Sequence, residues 1–288
     1  VRGKTRGNPF LPVILLALLL AACAAPRPPA PEVPLEPPVA YPAELRERLV
    51  TLALQEWQAF GAGVTDRSGT ESVELRPALP QEDPRVFHLV QGYWNAVREE
   101  RPEWEDHVAA QRALRRQGSG EVWRSQPWSA AFVSYLLRSA GVDRADFAWS
   151  AAHRVYLDHA ILASQRWGEL ALYTPLELEA HAPRPGDLVC GDRTRAPEPR
   201  LPSLAARAAE LGTPRGMHCD LVVASEPGRL VLVGGNLGNA VRMIYLPLEA
   251  DGRLRRRAPG EAPGATPFAV LRLNVPEPSP PLLSERAK

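Results

Sequence analysis

Lysine is nearly missing from this sequence: only Lys4 and Lys288 stand among its 34 basic side chains, and the rest are arginines. That shortage excludes mechanisms built on a buried lysine, such as a Ser-Lys dyad or a Schiff base. Net charge is equally scarce, with 34 basic against 33 acidic groups over 288 residues, and the arginines are scattered rather than gathered into runs. Such a balance has no field to draw the chain onto nucleic acid, so none is expected as a partner. Cysteine is limited to Cys23, Cys190 and Cys219, and no Cys-x-x-Cys pair sets the spacing of a tetrahedral metal site. No cofactor is expected. An apolar run of bilayer length is lacking too, since the longest, Phe10 to Leu20, falls well short of the ~20 residues a spanning helix needs.

Proline is what the chain has in excess, 31 residues, about twice the usual share, and its placement divides the sequence. Arg2, Lys4 and Arg6 ahead of the apolar run have the layout of a secretory signal, so residues 1–22 are expected to be removed. The run closes on Leu20-Ala21-Ala22-Cys23, which resembles the lipobox of bacterial lipoproteins. The resemblance implies a lipidated Cys23 and a chain held on a membrane by acyl tails, each buried methylene contributing about 0.8 kcal/mol. Ala24 in place of Asp implies, by the same resemblance, an outer-membrane anchor facing the periplasm. Pro26 to Pro42 holds eight prolines in seventeen residues, so residues 23–42 read as the lipidated cysteine and a stiff, extended linker. Pro276 to Lys288 has four prolines and no periodicity, and residues 276–288 read as a disordered tail.

Between these ends the period is at first helical. Leu45, Leu49, Leu52 and Trp57 predict one helix, ended by Gly61 and Gly63. Asp83-Pro84 predicts the N-cap and first turn of a second, with Val86, Leu89, Val90, Tyr93, Trp94 and Val97 as its buried stripe. Glu103 to Arg116 predicts a third, and residues 43–120 are read as a helical extension. Whether residues 43–117 cover the cleft of the following domain as a lid is left open. Helices over Ser129–Ala140 and about Ser150–Gln165 come next. Strands follow at Asp187–Cys190, His218–Ala224, Arg229–Gly234, Ala240–Leu246 and Phe268–Leu273, with Ser225-Glu226-Pro227-Gly228 as a hairpin turn. Helices first and an antiparallel sheet after give an α+β order.

Pro127-Trp128-Ser129-Ala130-Ala131-Phe132-Val133, Ala140-Gly141, Pro185-Gly186-Asp187-Leu188-Val189, His218 and Gly234-Gly235-Asn236 together resemble, in order, the motifs of the CHAP and NlpC-type papain-fold hydrolases of bacterial cell walls. The chain looks most like a bacterial lipoprotein family known only as a domain of unknown function. The resemblance covers residues 121–275. It implies a papain-like fold in which a nucleophile helix packs on an antiparallel sheet or half-barrel. It also implies a catalytic cysteine at the start of that helix, a histidine on the sheet and a third polar residue to orient it. Here the cysteine's place is taken by Ser129.

A helix start suits a serine nucleophile, because free N–H groups and the positive dipole end stabilise an oxyanion on a bound carbonyl. Serine also occupies helix starts simply as a cap. His218 is the expected general base, with Asn236 on the hairpin partner holding its ring. Asp220, two residues along the strand, shares the His218 face. It is either a partner for that imidazole or a solvated carboxylate at the sheet edge. The resemblance places Cys190 and Cys219 side by side, as a disulfide facing away from His218. Zinc on Cys190, His218, Cys219 and Asp220 is the competing reading, opposed by strand alternation. His153 and His159 lie on different faces of one helix. The order of elements brings His153 and Tyr156 to the border of the cleft, while by itself such a histidine reads as a satisfied surface residue.

Three functions remain in view. The resemblance implies an amidase or peptidase cutting peptidoglycan peptides; replacement of the thiol points to a binder of such peptides or of an envelope protein partner; and the helical extension suits a structural lipoprotein.

Overall fold

A computed structural model describes Gly3 and residues 35–195, 198–257 and 264–276. Cys23, the apolar run and the tail beyond 276 lie outside the described residues. The rest is an α+β arrangement of six helices and one eight-stranded sheet.

The first helix, α1 (Glu44–Ala59), buries Leu45, Leu49, Ala53 and Glu56. Its stripe ends on a carboxylate, and that carboxylate is satisfied by two phenols, Tyr93 Oη at 2.5 Å and Tyr135 Oη at 3.0 Å. Trp57 turns to the flank, where its indole N–H donates to the Gly63 carbonyl at 2.8 Å. Two strands that periodicity did not disclose follow, β1 (Val64–Asp66) and β2 (Val73–Arg76). The second runs from Phe87 to Ala96 as α2, starting later than Asp83-Pro84 predicts. Asp83 closes a local turn instead, accepting the Arg85 N–H at 2.9 Å, and Val86 occupies the cap position. The third, α3 (Glu103–Arg116), has the expected bounds, with three acids in its first turn and two arginines in its last.

Helix α4 (Ser129–Ser139) is buried on most faces, and α5 runs from His153 to Trp167. Then come β3 (Tyr173–Leu176), β4 (Leu188–Asp192), the short α6 (Leu204–Ala208), β5 (Met217–Glu226), β6 (Arg229–Gly234), β7 (Arg242–Pro247) and β8 (Thr266–Leu273). The sheet order is β2-β1-β7-β6-β5-β4-β8-β3, antiparallel except where β1 runs parallel to β7, Val64 opposite Met243.

Residues 43–120 are therefore not a separate helical extension. They supply two strands to the common sheet, and Leu45, Leu49, Val90, Tyr93 and Trp94 share one core with Phe132, Leu136, Leu221 and Val233. Tyr93 packs edge-on against Phe132 and tilts against Trp128, so the aromatic stripe is core, as its spacing predicts. On the opposite face of the sheet Val189, Val222, Leu230, Leu232, Ile244 and Val270 form a second, smaller core under Leu178 and Leu254. No helix among the described residues is long and apolar enough to cross a membrane.

Candidate active site

The site is assembled where α4 begins against the start of β5. Trp128, fully buried, donates from its indole to Gln81 Oε1 at 2.7 Å, which fixes the chain entering the helix. Trp128 is the N-cap residue and no side chain caps the helix, so Ser129 does not serve as a cap. Its Oγ lies instead 2.7 Å from His153 Nε2. His153 is 5% exposed, which corrects the reading of it as a surface histidine.

The loop before α5 explains how His153 arrives there. Ser134, on α4, exchanges two hydrogen bonds with the Ser150 backbone at 3.0 Å each, and Glu100 accepts from Ser150 Oγ at 2.6 Å and from the Ala151 N–H at 2.9 Å. The first residue of α5 is thereby tied to the helix that carries Ser129.

The tautomer of His153 follows from its other nitrogen. The backbone N–H of Cys219 donates to Nδ1 at 3.2 Å, and the Tyr156 hydroxyl bonds the same atom. A backbone N–H can only donate, so Nδ1 carries the lone pair and Nε2 the proton. His153 therefore donates to Ser129 Oγ and does not accept from it. Burial, aided by the neighbouring His218 and Arg193, holds its pKa well below the usual histidine value, and the ring stays neutral.

His218 and Asp220 share a face of β5, as strand alternation requires, and His218 Nε2 bonds Asp220 Oδ1 at 2.7 Å. Asp220 is thus a partner for the imidazole and not a solvated edge carboxylate; it is 8% exposed. Asn236 is not brought to His218. It turns the chain after β6 at a φ of 57°, a conformation asparagine tolerates, and bonds no histidine. The two glycines before it explain the difference. A Cβ on Gly234 would sit 1.7 Å from Asp220 Oδ1, and one on Gly235 would sit 2.6 Å from Phe132 Cβ. The first bare position leaves room for the Asp220 carboxylate, and the second lets the strand end close on α4.

Among the described residues His218 Nδ1 is buried with no partner, and the ring lies 5.2 Å from that of His153, centroid to centroid. Ser129 and His218 are not hydrogen-bonded to each other; His153 stands beside both. Since a carboxylate accepts at Nε2, neutral His218 presents a lone pair at Nδ1.

Cys190 and Cys219, opposite each other on β4 and β5, form a disulfide with Cα atoms 4.1 Å apart. Both sulfurs are spent in that bond and face the helices, away from His218, which removes the zinc reading. His159 lies elsewhere on α5, apart from the Ser129 cluster, and burial lowers its pKa.

Ahead of β5, residues 193–195 and 198–216 are tied to β4 and α5. Asp192 accepts the N–H groups of Thr194 at 2.6 Å and Leu201 at 2.8 Å, and Arg207 is buried against Asp158 of α5.

One consequence is a dependence on pH. Below about pH 6.5 an unfolded histidine takes up a proton that buried His153 refuses, so the unfolded chain binds more protons and stability is lost as the pH is lowered. The full contribution is present above that value. Half-buried His107 and buried His159, also shifted down by desolvation, act in the same direction. Urea unfolding between pH 7.5 and 5 should show stability declining on acidification. His153→Asn should reduce the slope by up to about 1.4 kcal/mol per pH unit; an unchanged slope would count against neutral, buried His153.

Comparison with known families now has a geometry to meet. The family described as an uncharacterized protein conserved in bacteria, DUF2272, matches residues 81–273. The chain belongs to this family. No curated protein and no solved structure matches the chain. The DUF2272 region opens at Gln81, the residue that receives the Trp128 indole proton, and includes Ser129, His153, the disulfide, His218 and Asp220. It begins ahead of residue 121, where the resemblance read from the sequence is bounded, and takes in α2 and α3. Helix α1 and strands β1 and β2 lie before it although they share its core and sheet.

Sequence reasoning missed His153 as the partner of Ser129 and Tyr156 as a partner of His153. The only signal was the order of elements, since neither spacing nor residue type distinguishes His153 from a surface histidine.

Proposed function

We propose that this DUF2272 protein is a lipid-anchored envelope protein of papain-like fold that hydrolyses amide bonds of peptidoglycan peptides. Ser129 is its nucleophile, His218 its general base, and Asp220 the group that orients the base. One observation carries the reading: Asp220 holds His218 by Nε2, leaving a buried, unpartnered Nδ1 lone pair beside the cluster that holds Ser129 at an uncapped helix start.

The roles follow from the chemistry. His153 Nε2–H occupies one lone pair of Ser129 Oγ and leaves the hydroxyl proton free for another acceptor. As Oγ attacks the amide carbon, that proton passes to His218 Nδ1 and the imidazolium is stabilised by Asp220. The oxyanion forms against the first-turn N–H groups of α4. His218 then returns the proton to the leaving amine, and water repeats the sequence to release the acid and restore Ser129. Ser129 and His218 must draw together for the transfer, a tightening on substrate binding that such sites commonly need.

Purified sacculi digested by the protein from residue 35 onward, read by chromatography and mass, test this. New fragments are expected from the wild type, and Ser129→Ala and His218→Ala should lower their rate by at least about a thousandfold. Fragments released equally by Ser129→Ala would overturn the assignment.

A second reading has its own observation. Because His153 donates to Ser129 and no base touches the hydroxyl, the same cleft is equally arranged to bind a wall peptide or an envelope protein without cutting it. In that case all variants are silent, Ser129→Cys included, while binding to sacculi persists.

A further inference from the structure

The pocket into which His218 and Asp220 open has a feature that the hydrolytic chemistry does not use. It lies on the sheet face away from the helices, with an apolar floor that includes Val189, Ile244 and Leu254. Arg67, directly after β1, lines it.

Three arginines reach this pocket, and two are already engaged. Arg257 donates to the carbonyls of Ser68 at 2.6 Å and Gly69 at 2.8 Å, which braces the turn that follows Arg67, and Arg255 pairs with Glu249 at 3.5 Å. Arg67 is different. Among the described residues its guanidinium makes no hydrogen bond and no ion pair, and its Nε is buried without a partner. The backbone places it firmly, because the Arg67 N–H donates to the Tyr245 carbonyl at 3.0 Å. Gly264 leaves it room: a Cβ there would come within 3.2 Å of Nη1.

A half-buried, unpaired guanidinium is costly unless something completes it. Asp220 acts on Arg67 through space, but its carboxylate is committed to His218. Arg193 and Arg242 add positive field, and with burial they press the Arg67 charge to find an anion. Asp220 beside Arg67 disfavours a highly charged anion. A planar carboxylate matches the guanidinium fork through two parallel N–H···O bonds.

We propose that Arg67 is a substrate-binding residue that captures a carboxylate of the peptide on the pocket side of His218. The proposal rests on the peptide-binding cleft argued above and adds the class of its ligand: a peptide with a free carboxylate near the bond presented to His218. The apolar floor would take the adjoining side chain.

Calorimetric titration of the Ser129→Ala protein, which removes turnover, tests it with two probes: a synthetic wall-type peptide with free carboxylates and the same peptide methyl-esterified. The acid should bind more tightly than the ester, with an affinity that falls as salt rises. Arg67→Met, which keeps most of the stem, should weaken the acid by about ten- to a hundredfold and leave the ester unchanged. Arg67→Lys should recover only part of the loss. Equal binding of acid and ester, unchanged binding in a folded Arg67→Met, no binding of the acid, or displacement of the peptide by stoichiometric inorganic phosphate would each overturn the proposal. Failure of the hydrolase reading alone looks different: the acid binds through Arg67, and no variant with Ser129 intact cleaves it.

Discussion

Asp158→Ala is expected to cost about 3 kcal/mol of folding stability, the lower end for breaking a buried ion pair, because Glu210 Oε1 remains 3.2 Å from Arg207 Nη1. Arg207 is fully buried, its Nε 2.7 Å from Asp158 Oδ1 and its Nη2 2.5 Å from Oδ2. The same carboxylate accepts the Gly212 N–H at 2.9 Å, and Arg207 Nη1 reaches the Thr213 carbonyl at 3.0 Å. One ion pair therefore pins α6 and the approach to β5 onto α5, the helix that carries His153. Urea unfolding at pH 7.5 measures the loss. Replacing both partners, Asp158→Leu with Arg207→Met, should recover a large part of it, because no charge is left unpaired. A single variant that loses less than about 1 kcal/mol would mean the pair is solvated.

The second large effect belongs to the disulfide. Cys190 and Cys219 are 29 residues apart, and closing a loop of that length removes about 3–4 kcal/mol of chain entropy from the unfolded state. The double replacement Cys190→Ala with Cys219→Ala should lower the unfolding free energy by that order. It has a local effect as well. Cys219 supplies the N–H that fixes the His153 tautomer, so loosening β5 relaxes the hold on Ser129. Stability equal to the wild type under the same conditions would show that the cross-link adds nothing.

Much of the architecture was legible because it rests on local chemistry. Strand alternation put His218 with Asp220 and against Cys219, and the bounds of α3 followed from its charges. Strands β1 and β2 were not legible, since the first is three residues long and the second is exposed at all four positions, leaving no alternation to read. The start of α2 was misplaced because Asp83 has a choice between capping a helix and closing its own turn, and Arg85 decided it.

The site divides in the same way. Ser129 and His218 were recognisable from motif order, but the contacts among them depend on where a glycine leaves space and where a strand ends. Gly234 gives Asp220 the position that the sequence offered to Asn236. His153 enters through Ser134, Ser150 and Glu100, contacts spanning up to about fifty residues that no local pattern encodes.

The central claim is that Ser129 is a nucleophile activated by His218, and a serine-reactive fluorophosphonate tests it without knowledge of the substrate. Intact mass of the treated protein, followed by peptide mapping, should show one adduct on the peptide containing Ser129. The adduct should disappear in Ser129→Ala and in His218→Ala. A folded wild-type protein that takes up no label, or one whose label survives Ser129→Ala, would contradict the account.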